Sequence, residues 1–156
     1  GAASVRFALF DPVGDGAPAS RLSGLVEDIG AAPRLSASSA DGTCLASMPL
    51  PPGNVRDHAG ALDAIWRWLE TAVRVDPATV AAVAHRVVHG GNLHTDAVRI
   101  DAPMLERLER LVPLAPLHQP PALALVRATV ARIPGALQVA CFDTAFHRTQ
   151  PPVAQA

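Results

Sequence analysis

The run Val80-Ala-Ala-Val-Ala-His-Arg-Val-Val-His-Gly-Gly91 decides the fold, because it is short, apolar and rich in β-branched valine until two glycines end it. These features predict a buried strand. A second run, Leu137-Gln-Val-Ala-Cys-Phe142, has the same character and leads directly into Asp143. Two segments that read as helices lie between the runs, one at 103–111 and one that follows a proline-rich loop and ends near 133. Buried strands that alternate with helices predict an α/β sheet with its ligands at the carboxyl ends of the strands.

The residues before the first run predict an antiparallel extension of this sheet. Alternating apolar residues, with turns rich in Gly, Pro and Asp between them, indicate a meander of four short strands. The four strands are expected at 5–9, around 22–26, around 34–38 and around 43–48. From Asp57 to Val73, apolar residues recur every three or four positions, which predicts an amphipathic helix with Trp68 at the edge of its contact.

The composition of the 156-residue chain fits one domain and excludes several classes of function. The 13 Lys+Arg and 14 Asp+Glu give a net charge of −1, which argues against a basic face that holds nucleic acid. No apolar run approaches the ~18–20 residues of a membrane helix. All basic residues are arginine, so Schiff-base chemistry and a Walker-A lysine are excluded within this chain. With two cysteines and no secretory signal, a cytoplasmic location is the expectation.

Arg86 is the charged residue of the first apolar run. The alternation of a strand puts Arg86 and Val88 on one face, opposite His85 and Val87. A guanidinium among apolar residues needs an anionic partner. Two interpretations stay open: a structural salt bridge, or a bidentate clamp for a carboxylate or phosphate. In the second, the apolar Val88 beside the clamp would suit a small acid with a short alkyl tail.

Asp143 and His118 are further candidates for a site. Asp143 after an apolar strand is either an Asx-turn or N-cap residue, or a group that holds Mg²⁺ or positions a reacting oxygen. His118 lies in a stiff proline-rich loop, either as a surface residue or as a fixed ligand contact.

The histidines around the first run also raise the question of a metal site. Structural or hydrogen-bonded roles are the favoured interpretation for His85, His89 and His94, rather than a shared zinc site. Four residues of a strand span roughly 13 Å, too far for the first two imidazoles to bind one ion.

Three segments together resemble the signatures of the acetate kinase family. They are His85–Gly91, Leu114–Pro120 and Phe142–His147, in the order that the family has. The opening Gly1–Phe7 is similar to the end of the family's glycine/serine-rich phosphate motif, and Gly24–Gly30 is similar to another family segment. The resemblance implies an actin-like (ribonuclease H-like) mixed sheet with flanking helices, as in sugar kinases. It identifies residues 1–156 as the N-terminal domain of a two-domain kinase, without its first strand and without the C-terminal domain.

The resemblance also implies a role for each matching residue. For catalysis, Arg86 would bind the substrate carboxylate and stabilise transition-state charge, and Asp143 would be the catalytic aspartate. The resemblance also implies that Val88 and Leu117 line the pocket for the acetate methyl group. It implies that His118 lies near the transferring phosphoryl group, and that Ser4 and Arg6 bind ATP.

The implied reaction converts ATP and acetate, reversibly and with Mg²⁺, into ADP and acetyl phosphate. A carboxylate with a pKa of about 4–5 is ionised at neutral pH, so attack needs no general base, and we expect Asp143 to organise Mg²⁺. The implied partners are acetate or another short-chain carboxylate and ATP/ADP. A homodimer is expected for the full-length protein, and neither nucleic acid nor a membrane is expected as a partner.

The chain departs from the family pattern at four positions, which keeps alternatives open. Ala2 and Ala3 stand where the family usually has serines, Arg6 stands for a lysine, and Gln119 stands for an asparagine. One alternative is a non-catalytic remnant that binds small anions, and another is a propionate or butyrate kinase. The fragment alone is expected to be inactive, because the nucleotide would bind between two domains.

Overall fold

A computed structural model describes residues 3–90 and 96–143 of the chain. They form two compact units, one of residues 3–74 and one that begins at Val75. The expectation of a single N-terminal domain over 1–156 stays a prediction. Sequence expectations at some positions lie outside the described residues. These positions are Gly1, Ala2, Gly91, His94 and 144–147.

The first unit contains the predicted antiparallel meander of four strands, which is confirmed. The expectation that this meander extends the α/β sheet is wrong for the described residues, because its strands pair with one another and form a separate sheet. Its four strands pair in chain order. They are β1 (Val5–Asp11), β2 (Ala19–Glu27), β3 (Arg34–Ser39) and β4 (Cys44–Pro49). One face of this sheet buries Val5, Val26 and Leu35, while the other face exposes Arg6 and Ser23. This alternation is typical of an antiparallel sheet that has one face in the core and one in water.

The helix of the first unit, α1 (His58–Trp68), begins where Asp57 accepts a 2.8 Å hydrogen bond from the backbone N–H of Gly60. It continues as a π-helical turn over Leu69–Val73. The prediction that Trp68 lies at the edge of the contact is wrong, because its exposed fraction is only 6%. The ring of Phe7 in β1 meets Trp68 edge-on at 6.0 Å between centroids, so the core covers a wider arc of this helix than the spacing indicated.

The second unit contains both predicted apolar strands and both predicted helices. Its elements are β5 (Ala82–Val87), β6 (Val98–Arg99), α2 (Ala102–Arg110), α3 (Gln119–Arg132) and β7 (Leu137–Phe142). The strand order is β5-β7-β6, with β5 parallel and β6 antiparallel to β7. The sequence did not predict β6, because two residues are too few to show an alternation. No helix in either described stretch combines the length and the apolar character needed to cross a membrane.

The core of the second unit lies on one face of its sheet, against α2 and α3. It contains Val87, Ile100, Met104, Leu108, Leu123, Val126, Ala140 and Phe142. The opposite face of β5 and β7 exposes Ala84, Arg86 and Cys141. The prediction of two fully buried strands is therefore corrected to two half-buried strands. Small alanines make the exposed face of β5 look apolar in the sequence, although only the alternate positions contact the core.

A polar pair interrupts the covered face of the sheet. His85 Nε2 donates to Gln138 Oε1 at 2.7 Å, and Gln138 Nε2 donates to the carbonyl of Ala136. Gln138 is buried and His85 is half-buried. Burial lowers the pKa of His85 below its ordinary value of 6.5, because the charged imidazolium loses solvation, and the bond to Gln138 offsets only part of that effect.

This lowered pKa predicts a pH-dependent stability. Because the pKa of His85 is lower in the folded chain, the unfolded chain takes up a proton there more readily as the pH falls below 6.5. The contribution of His85 to stability is therefore present above 6.5 and is lost as the pH falls. We expect His85→Gln to flatten the fall in the free energy of unfolding between pH 7.5 and 5.5, measured by urea unfolding. His58→Gln, at a half-buried histidine of α1, is the control and should keep the parental pH dependence. Equal slopes for His85→Gln and the parent would contradict the assignment.

Candidate functional site

Arg86 and Asp143 form a two-point ion pair at the carboxyl edge of the second unit's sheet. In the parallel register of β5 and β7, Val87 lies opposite Phe142, so Arg86 and Asp143 reach the same edge. Arg86 Nε donates to Asp143 Oδ1 at 2.8 Å, and Nη2 donates to Oδ2 at 2.9 Å. Two residues that the sequence offers as separate candidates thus converge at this edge.

The two members of this pair differ in their exposure. The Arg86 side chain is 82% exposed and the Asp143 side chain is 31% exposed. Asp143, first through its hydrogen bond and then through its charge, raises the pKa of Arg86, so the guanidinium stays protonated. The pair uses two of the five N–H donors that an arginine carries, which leaves donors facing water. The arrangement combines the two interpretations from the sequence: a salt bridge is present, and its guanidinium remains accessible to an anion.

The chain after β5 packs closely against the end of β7. Val88 is half-buried, and Gly90 is buried with its backbone against the aromatic ring of Phe142. A Cβ placed at Gly90 would lie 2.7 Å from Cγ of Phe142, closer than a real side chain allows. Since Phe142 directly precedes Asp143, this contact fixes the segment after Arg86 against the neighbour of the residue that carries the carboxylate.

The second motif lies at the start of α3. Leu117 is 76% exposed and His118 is also exposed. The His118 side chain makes no hydrogen bond to any residue in the described ranges, and it does not cap α3. Gln119, the next residue, is fully buried. Its amide bonds the backbone of His89, so the segments with Arg86 and with His118 meet through this side chain.

Sequence reasoning misses the contact through Gln119, because the sequence shows this residue only as a departure from the family pattern. A glutamine at the first position of a helix, next to a histidine and before two prolines, has no pattern that predicts burial. The one sequence signal for a role of Gln119 is its position within the Leu114–Pro120 motif.

The two residues implied in nucleotide binding lie in the first unit. Ser4 is half-buried and directly precedes β1, and Arg6 is exposed within β1. Arg6 lines an open cavity of about 500 Å³ on the exposed face of the meander, together with hydroxyls of Ser36 and Ser47 among others. A guanidinium beside hydroxyl groups can bind a phosphate.

Side chains that could bind a metal ion do not cluster among the described residues. Among residues 3–90 and 96–143, no three His, Cys, Asp or Glu side chains come together in a way that could hold a metal ion. The Nε2 atom of His85 is engaged by Gln138. Of the carboxylates, Asp143 is the one that adjoins the exposed guanidinium of Arg86.

The contact between Gly90 and Phe142 predicts the effect of an added methyl group. We expect Gly90→Ala to lower the free energy of unfolding by about 1–3 kcal/mol, because the new Cβ must displace the ring. Gly135→Ala is the matched control, since nothing lies within 4 Å of its added Cβ, and it should be neutral or slightly stabilising. The double variant Gly90→Ala with Phe142→Leu should lose less than the sum of its single losses in urea unfolding. Additive losses would show that the two residues do not touch.

Comparison with known proteins gives a consistent result. The model of the Acetokinase family matches residues 1–156. The acetate kinase of Nitrobacter hamburgensis is 46% identical over 154 residues, 99% of this chain and 37% of that protein. The acetate kinase of Rhizobium meliloti is 44% identical over 95% of this chain and 37% of that protein. The chain thus spans little more than a third of the length of these relatives.

Solved structures agree in fold. The crystal structure of Porphyromonas gingivalis acetate kinase superimposes with a TM-score of 0.81 at 29% identity, over 97% of this chain and 37% of that one. A propionate kinase from Francisella tularensis superimposes with a TM-score of 0.77, also at 29% identity, over 98% of this chain and 37% of that one. The expected α/β, actin-like fold with mixed sheets and flanking helices is confirmed.

Proposed function

Because this chain belongs to the acetate kinase family, we propose that the protein it forms part of transfers the γ-phosphoryl group of ATP to the carboxylate of acetate, giving acetyl phosphate and ADP. The single observation that carries the proposal is the exposed guanidinium of Arg86, held in two-point contact by Asp143 at the carboxyl edge of parallel strands. Ligands of α/β sheets bind at such edges. The chain spans only about 37% of its relatives, so the activity is proposed for the longer protein.

Arg86 is proposed to bring two anions together. The acetate carboxylate and the γ-phosphate both carry negative charge, and each must approach the other for transfer. A permanently charged guanidinium with outward N–H donors can bind the carboxylate and offset charge on the phosphoryl oxygens. Attack needs no base, because a carboxylate with a pKa of about 4–5 is already ionised at neutral pH.

Asp143 is proposed to serve as one ligand of Mg²⁺. Each of its oxygens accepts one hydrogen bond from Arg86, which leaves further lone pairs, and the side chain is 31% exposed. Mg²⁺ in phosphoryl-transfer sites is held by one or two carboxylates together with substrate phosphates and water, so a single carboxylate fits this need. When bound, the ion would neutralise charge on the phosphates, and Arg86 orients the carboxylate that would hold it.

Substrate and nucleotide contacts are proposed for the remaining residues. Val88 and the 76% exposed Leu117 would offer apolar surface to the methyl group, and His118 would donate to the phosphoryl group. Ser4 and Arg6 would contact ATP. One methylene changes binding by only about 1–3 kcal/mol in an apolar pocket, so propionate is proposed as a second substrate. The homodimer, the cytoplasmic location and the lack of a nucleic-acid partner stay predictions.

A second candidate function is a non-catalytic remnant that binds small anions. The loss of two hydroxyls at Ala2 and Ala3 favours it. The discriminating measurement is the hydroxamate assay for acetyl phosphate on the complete gene product. Formation of acetyl phosphate rejects the remnant, whereas acetate binding without turnover supports it. The 156-residue chain alone is expected to be inactive in the same assay.

Arg86 provides the sharpest test of the proposed site. In the complete gene product we expect Arg86→Ala to lower kcat/KM for acetate at least about 100-fold, because the charge facing both anions is lost. Arg86→Lys should remain impaired, since an ammonium cannot make the two-point contact. Arg127→Ala is the matched control, because Arg127 forms an exposed ion pair with Glu109 in the same unit. Parental kinetics in Arg86→Ala would remove this residue from the site.

The metal role of Asp143 predicts a change in Mg²⁺ dependence. Asp143→Asn keeps the shape of the side chain but removes the charge that binds the ion. We expect the Mg²⁺ concentration for half-maximal activity to rise at least fivefold, with little change in the pH profile. The measurement is a titration of activity with Mg²⁺ at fixed ATP, repeated between pH 6 and 9. A shifted pH profile at constant Mg²⁺ dependence would instead favour proton transfer by Asp143.

A further inference from the structure

The side chain of Gln119 joins two segments of the proposed site. It is fully buried, and both the oxygen and the nitrogen of its amide group bond the backbone of His89. The backbone N–H of His89 donates to Oε1 at 3.4 Å, and Nε2 donates to the His89 carbonyl at 3.2 Å. Nε2 also donates to the carbonyl of Leu108 in α2, at 3.4 Å.

This contact lies just beyond the end of strand pairing between β5 and β7. The ladder between β5 and β7 ends at Val87, opposite Phe142. Val88 and His89 continue beyond it, and the buried amide of Gln119 pairs with His89 much as a neighbouring strand would. Paired donor and acceptor contacts to one residue fix both the position and the orientation of its peptide groups.

We propose that Gln119 is a positioning residue that holds Val88 and His118 in register with each other on the carboxylate side of the site. Gln119 follows His118 directly, and its bonds to His89 hold the residue that follows Val88. The inference rests on the proposed function, in which Val88 contacts the methyl group and His118 the phosphoryl group. A displacement of about 1 Å between such groups can cost on the order of 100-fold in rate.

Three variants of the complete gene product test this proposal. Gln119→Met keeps the length of the side chain and removes the amide, and Gln119→Asn keeps an amide that is one methylene shorter. Gln138→Met is the matched control, because Gln138 is a buried glutamine of the same unit that bonds His85 and Ala136. The measured quantities are kcat, the KM values for acetate and ATP, and Tm.

We expect Gln119→Met to lower kcat/KM for acetate at least tenfold with the KM for ATP within twofold of the parent. Gln119→Asn should lose less, between twofold and tenfold. Gln138→Met should lower Tm about as much as Gln119→Met does, while it keeps kcat/KM for acetate within twofold of the parent. Parental kinetics in Gln119→Met, or an equal loss in Gln138→Met, would overturn the proposal. If Gln119→Met does not fold, Gln119→Asn decides, and parental constants in that variant overturn it.

Amide hydrogen exchange separates this inference from the proposed function. In a peptide that spans residues 86–90, Gln119→Met should raise exchange at His89, because the acceptor Oε1 of Gln119 is removed, whereas Gln138→Met should not. An inactive parent with this pattern rejects the proposed reaction and keeps the positioning contact. Unchanged exchange in Gln119→Met overturns the positioning contact whether or not the parent is active.

Discussion

The parallel register of β5 against β7 is the constraint on which the proposed site depends. That register sets Val87 opposite Phe142, and both side chains belong to the core of the second unit. A slip by one residue would turn every side chain of the strand to the opposite face and expose this core. The hydrophobic face therefore selects the register, and the register brings Arg86 to Asp143. The ion pair itself contributes little to stability, because exposed pairs are worth about 0–1 kcal/mol.

The contacts next to this pair fix the backbone rather than the charged atoms. Gly90 lies against the ring of Phe142, and Gln119 bonds the peptide groups of His89. Both contacts hold the short segment that follows β5, where strand pairing has ended. The charged side chains then occupy the edge with water on one side. A rigid backbone with accessible polar groups suits a site that must admit substrates and release products.

Much of the fold could be predicted from the sequence, because periodicity reports on local contacts. The meander, the three helices and the two apolar strands follow from alternation and helical spacing, and turns rich in Gly, Pro and Asp mark their limits. The same signals could not show that β5 is covered on one face only, because alanine fits either a buried or an exposed position. They also misplaced Trp68, whose burial depends on Phe7, a residue of another element. The bonds of Gln119 run from a side chain to a backbone, and they leave no periodic pattern.

The exposure of Arg86 decides what kind of ion pair this is. A buried pair that loses one partner leaves an unpaired charge in a poorly solvated place, at a cost of about 3–5 kcal/mol. With 82% of the Arg86 side chain exposed, water can solvate the guanidinium when Asp143 turns to another partner. Exchange of partners is then inexpensive, and a substrate carboxylate can compete for the same donors. The alternatives of a salt bridge and an anion clamp, which the sequence left open, are thus not exclusive. A weak, solvent-exposed pair orients the guanidinium and still lets it bind an anion. A strong, buried pair would prevent the guanidinium from binding a second anion.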